Sequence, residues 1–174
     1  MNNVIKGVMV VVIAMGCPFV TLAADTTINL TGKITAAACT VDNNGIYQIE
    51  LPDVPSVTLA SAGSYGEWTT VNVTLSACPV GTTQVTATFG GTAAMGDRNK
   101  HTIAVGTGYT NNVVLQLQDA AGTKTDLGVN SSLTVPVDGN RNATFALRLR
   151  PYSIDGSATI GAIEGLIVAE FNYN

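Results

Sequence analysis

The chain has 174 residues, 46% of them apolar and only 11% charged, with a formal net charge of −4. So apolar a chain is not disordered, and 8 Lys plus Arg against 12 Asp plus Glu offer no basic surface for nucleic acid. A single histidine, His101, makes it a poor candidate for an enzyme. The abundance of Thr, Val, Asn and Gly favours short strands joined by turns within one domain.

The first segment reads as an address rather than as fold. One lysine, Lys6, precedes an apolar run from Gly7 to Ala14, and small residues follow up to Ala23 and Ala24. This is the order of a secretory signal. The run is too short to span a bilayer, so no direct membrane insertion is expected. Cleavage is placed after Ala23, making residues 1–23 the signal peptide, with Ala24 the alternative. Ala14-Met15-Gly16-Cys17 looks faintly like a lipoprotein box, but Ala14 and Met15 fit it badly. Loss of the signal takes Cys17 with it and leaves Cys39 and Cys78. An even pair in an exported chain reads as a disulfide, and two cysteines with one histidine cannot build a structural zinc site.

The next eleven residues, 24–34, alternate cleanly. Thr26, Ile28, Leu30, Gly32 and Ile34 share one face, and Asp25, Thr27, Asn29, Thr31 and Lys33 the other. A strand of this kind is an adhesive edge unless it is paired. Periodicity does not say whether it pairs within its own chain or with another.

A turn follows at Asp42-Asn43-Asn44-Gly45, which lacks the later Glu of a calcium loop. Alternation then marks strands around Val71–Leu75, Val85–Phe89, Val113–Leu117 and Phe145–Leu149, with weaker runs at Tyr47–Leu51 and Leu133–Val137. A helical turn is expected near Ser61–Trp68. Gly90-Gly91, Ala121-Gly122, Asp138-Gly139-Asn140 and Asp155-Gly156 punctuate the strands. Gly106-Thr107-Gly108 lacks the third glycine of a dinucleotide loop and reads as a turn. Strands with one apolar face pack as a two-sheet sandwich. Trp68 comes too late after Cys39 for an antibody-type domain.

His101 sits in a polar stretch, Arg98-Asn99-Lys100-His101, and is expected at the surface. Arg148 and Arg150 share a strand face that an anion could contact, although a solvated sheet face is the commoner meaning. The last run, Gly161–Asn174, is long for a strand. Ile163, Gly165, Ile167, Ala169, Phe171 and Tyr173 lie on one face, and Leu166 and Val168 interrupt the polar face, so burial on both sides is expected at its middle.

Several pieces together carry a resemblance. They are the segment Ala24–Ile34; Cys39-Thr40-Val41; Leu59-Ala60-Ser61-Ala62-Gly63 with Trp68; Cys78-Pro79-Val80-Gly81-Thr82; and Leu115-Gln116-Leu117-Gln118-Asp119. A glycine fourteenth from the end, Gly161, and a penultimate tyrosine, Tyr173, complete them. In order and spacing the chain resembles the pilin subunits of chaperone–usher fimbriae, most closely a minor subunit of type 1 fimbriae. The resemblance implies an all-β, incomplete Ig-like sandwich (the pilin fold, residues 35–174) that lacks its seventh strand and has no cofactor. It implies a groove beside the C-terminal strand, lined by Gly161, Ile163, Ile167, Ala169, Phe171 and Tyr173. A periplasmic pilus chaperone would fill that groove first and anchor the carboxylate of Asn174.

At the outer-membrane usher, a neighbouring subunit's N-terminal extension would then replace the chaperone strand. Residues 24–34 of this chain would do the same for its own neighbour, the tip adhesin being one candidate, with Thr26, Ile28, Leu30, Gly32 and Ile34 as the inserted face. The product is a surface fimbrium. The competing readings are a major shaft pilin, a sugar-binding tip adhesin, and a self-contained periplasmic carbohydrate-binding module. Known adhesins of the system carry a lectin domain ahead of the pilin domain, and this chain has room for one domain.

Overall fold

Alternating strands dominate the computed structural model, which describes residues 38–174. The expected signal segment, and the extension bearing Thr26, Ile28, Leu30, Gly32 and Ile34, lie outside the described residues. Nine strands follow in chain order: β1 (Thr40–Val41), β2 (Thr69–Ser76), β3 (Gln84–Gly90), β4 (Ala93–Ala94), β5 (Asp97–His101), β6 (Val114–Asp119), β7 (Ser132–Pro136), β8 (Ala143–Tyr152) and β9 (Val168–Tyr173). They form a six-stranded sheet, β1-β2-β8-β6-β5-β4, and a three-stranded sheet, β7-β3-β9.

The inner faces of the two sheets share one core. Leu75, Phe145, Leu147 and Leu149 of the larger sheet meet Val85, Ala87, Phe89 and Phe171 of the smaller. The Phe145 and Phe171 rings stack tilted, 5.6 Å between centroids. β8 shows the logic most plainly, because its burial alternates residue by residue along ten positions. Its inward side chains are apolar and its outward ones include Arg148 and Arg150. A disulfide joins Cys39 to Cys78 and so fixes the start of β1 to the residues following β2. The turn expected at residues 42–45 is present, with Asn43, Asn44 and Gly45 all in the left-handed region.

Several expectations are corrected. The helical turn lies earlier, as a 3-10 turn over Ser56–Leu59 that follows Pro55, and not at residues 61–68. Residues 47–51 keep the alternating exposure of a strand but make no backbone ladder among the described residues; the Tyr47 hydroxyl instead accepts from the Thr74 amide at 3.2 Å. The C-terminal strand begins only at Val168. Leu166 is 76% exposed and Val168 46%, not buried on both sides, because among the described residues β9 pairs only with β3 and no layer covers its outer face.

His101 is 0% exposed, against the expectation of a surface residue. The polar stretch forms β5, which pairs with β4 on one side and β6 on the other, so His101 lies within the sheet. Its Nε2 donates to the Leu127 carbonyl at 2.8 Å, and its Nδ1 has no partner among the described residues. Burial, offset in part by that hydrogen bond, pulls the imidazole below its ordinary pKa.

Candidate functional site: a groove between two unpaired edges

Among the described residues the sandwich is open along one side. One wall of the opening is residues 161–171, and the other is the extended segment from Tyr47 to Val54. Leu115, Leu117, Leu147 and Leu149 make an apolar floor between them. The central stretch encloses about 740 Å³ and continues into a smaller apolar space of about 310 Å³ beside Val71, Val73 and Phe171. At the other end, beyond Val54 and Gly161, it runs on past Val57, Leu59 and Ile160.

Among the described residues, the segment 47–54 and the outer edge of β9 present unused main chain. No backbone–backbone hydrogen bond is recorded for residues 47–54 among the described residues. β9 pairs with β3 through Val85↔Tyr173, Ala87↔Phe171 and Phe89↔Ala169, and it is the last strand of its sheet. Its second edge therefore faces the groove unpaired among the described residues. Two polar backbone edges flanking an apolar floor form a seat for one further strand, which would satisfy both edges and cover the floor.

Glycine shapes the wall. A β-carbon on Gly161 would collide with the Tyr109 carbonyl carbon and the Thr110 nitrogen, so only glycine lets this segment press against the loop before β6. Two hydrogen bonds hold that approach, from the Thr110 N–H to the Ala162 carbonyl at 3.0 Å and from the Ala162 N–H to the Gly108 carbonyl at 2.8 Å. Gly165 lies over Leu115, whose Cδ1 would stand 2.5 Å from a β-carbon there. Beside it the Tyr109 hydroxyl donates to the Glu164 carboxylate at 2.8 Å, a bond that raises the phenol pKa.

The predicted wall residues are thereby brought into one line. Ile163, Ile167, Ala169, Phe171 and Tyr173 are half-buried, and the residues between them are exposed. Burial pushes the Tyr173 phenol up. Asn174 is clamped to β3. Its main-chain carboxylate oxygen accepts from the amides of Thr83 at 2.7 Å and Gln84 at 3.1 Å, and its own N–H donates to the Gln84 carbonyl at 3.0 Å. The opposite wall, Tyr47, Ile49, Leu51 and Val54, was not foreseen as part of a site. Its only sequence signal was strand-like alternation with no assigned partner.

A family model described as Fimbrial protein matches residues 28–174. The chain belongs to the fimbrial protein family. It is 36% identical to Protein FimG of Escherichia coli (strain K12) over 152 residues, 87% of each chain. It is 31% identical to S-fimbrial adhesin protein SfaS of Escherichia coli O6:K15:H31 (strain 536 / UPEC) over 151 residues, 87% of this chain and 86% of SfaS. Among solved structures, a chain from a chaperone-usher pilus superposes with a TM-score of 0.63 at 15% identity, covering 92% of this chain and all of that one. That likeness concerns the fold. The family, the all-β two-sheet fold and the disulfide thus agree with the sequence reading. The length argument against an adhesin does not hold, because a protein named as an adhesin matches this chain over most of its own length.

Proposed function

We propose that the protein is a minor subunit of a chaperone–usher fimbria that polymerises by exchange of donor strands. The observation that carries this reading is the open groove, with its apolar floor between the unpaired edges of residues 47–54 and β9. In this reading residues 1–23 direct export, residues 24–34 are the donor strand for the next subunit, and residues 35–174 are the pilin domain. A periplasmic chaperone occupies the groove until the usher brings up a neighbouring subunit, and the finished polymer stands on the cell surface.

The energetics suit the exchange. A donor segment contributes backbone hydrogen bonds at both edges and alternate side chains to the floor. Burying Ile28, Leu30 and Ile34 in a neighbour's groove would contribute roughly 5–9 kcal/mol before entropy. Gly32 lets the inserted strand seat closely. The work of the molecule is association, and the groove offers a strand seat rather than a reaction centre.

Co-expression with a cognate chaperone tests the reading. The chain is expected to accumulate only as a one-to-one complex. Deletion of residues 24–34 should leave that complex intact and abolish incorporation of the next partner. A truncated chain that unfolds even with the chaperone present would favour a self-contained domain whose first strand folds back on itself.

A further inference from the structure

The walls of the groove carry a pattern on the side that faces away from the floor. Along one wall Glu164, Leu166, Val168 and Glu170 alternate with the groove-lining Gly165, Ile167 and Ala169, and all four are exposed. The small sheet does not cover them. Val168 stands opposite Gly90, which has no side chain, and Glu170 stands opposite the uncharged Thr88. On the other wall Glu50 and Asp53 are exposed beside the central stretch.

These acids have no cation. Among the described residues Glu50, Asp53, Glu164 and Glu170 make no ion pair, and no Lys or Arg lines the groove. The Tyr109 hydroxyl donates to Glu164, which fixes that carboxylate at the wall without neutralising it. Acids on both walls of an unfilled groove repel each other across it. An inserted strand carrying bases would relieve that repulsion. The exposed Leu166 and Val168, set between two acids, call for cover of a different kind.

A strand added along the outer edge of β9 and its lead-in places its own outward side chains beside these four, about 5 Å away in a directly opposed pair. We propose that the groove is built for a strand whose outward face reads base, apolar, apolar, base at alternate positions. The wall reads acid, apolar, apolar, acid in both directions, so the match holds for parallel and antiparallel insertion alike. The occupant is the N-terminal extension of a neighbouring subunit, selected by its outward face as well as by the inward residues that fill the floor. This inference rests on the proposed strand exchange and adds the chemistry of the partner. The chain's own extension does not fit. Its outward face is Asp25, Thr27, Asn29, Thr31 and Lys33, with one acid, one base and no apolar residue. A second copy of this chain is therefore a poor occupant, although Ile28 and Leu30 would suit the floor.

Three labelled peptides of residues 24–34, alike on the inward face, isolate the outward one. The first keeps the native sequence. The second carries Thr27→Arg, Asn29→Val and Thr31→Val, which with Lys33 completes the pattern. The third carries Thr27→Glu, Asn29→Val, Thr31→Val and Lys33→Glu. Anisotropy with the full chain should show the second binding about tenfold more tightly than either of the others. Sodium chloride at about 1 M should erase most of the difference between the second and the third. Glu164→Gln with Glu170→Gln should weaken the second about fivefold and the first by no more than about twofold. Leu166→Ser should weaken the second and third alike, because both carry the apolar pair. Equal affinity of all three peptides would overturn the inference and leave the groove reading standing, whereas binding of none would overturn both. Tight binding of the second peptide that the paired Glu164→Gln and Glu170→Gln change leaves intact would also overturn the inference.

Discussion

Gly161 packs against the backbone of Thr110 so closely that no β-carbon fits between them. The Thr110 amide donates to Ala162 at this crossing, and one wall of the groove is thereby fastened to the loop preceding β6. Gly161→Ala would force the two segments apart. Overpacking of this kind costs about 1–3 kcal/mol. The predicted outcome is a lower denaturation midpoint for the purified chain, with the groove wall displaced.

Ile167 belongs to both the central groove and its smaller extension. Ile167→Ala removes apolar surface that an added strand would cover. The loss is about 2 kcal/mol, or roughly thirtyfold in affinity for a peptide copying the neighbouring subunit's N-terminal extension. Anisotropy of a labelled peptide measures this, and unchanged affinity would place the strand elsewhere.

The Cys39–Cys78 disulfide closes a loop with a sequence separation of 39, including all of β2. In the chain-entropy treatment that closure stabilises the fold by about 4 kcal/mol. Cys39→Ser with Cys78→Ser should therefore lower the urea midpoint strongly. Wild-type chain under reducing conditions should behave alike.

His101 confers a pH dependence of definite sign. Burial lowers its pKa in the folded chain below the ordinary 6.5, so the unfolded chain binds the extra proton first as pH falls. The stabilisation is fully present above pH 6.5 and is lost progressively below it. Asp126 acts in a separate, more acidic window. Burial raises its pKa, but hydrogen bonds from Lys100, Gln118 and Gln116 outweigh that and hold it below 3.8. Its contribution is lost only as pH falls under that value. His101→Gln should flatten the stability profile just below pH 6.5 while leaving the Asp126 limb below pH 3.8, as followed by urea unfolding.

Much of the fold was legible where one strand face is apolar and the other polar. The inward residues of β2, β3 and β8 and the disulfide pair are read directly from the sequence in this way. β5 was not, because Asp97-Arg98-Asn99-Lys100-His101 has no apolar face. Its strand character comes from pairing with β4 and β6, and its burial from the Lys100–Asp97–Asp126 network and the Leu127 carbonyl. Arg148 and Arg150 showed their spacing but not their aromatic neighbours, since Tyr65 and Trp68 are distant in sequence. Leu166 and Val168 suggested burial, and among the described residues no layer outside β9 covers them, which leaves them exposed. Tyr47–Leu51 is the most informative case. Its alternation is that of a strand, yet it finds no ladder among the described residues, which is how a groove wall awaiting a partner would look.

Amide hydrogen exchange across residues 47–54 and β9 tests the central claim most directly, because protection there depends on whether a strand lies between the two edges. For a chain lacking residues 24–34, the amides of 47–54 should exchange rapidly when it is alone. They should become protected, together with the outer-edge amides of β9, when a peptide copying the N-terminal extension of the subunit that fills this groove is added. Protection already complete without the peptide, or absent with the peptide bound, would contradict the account.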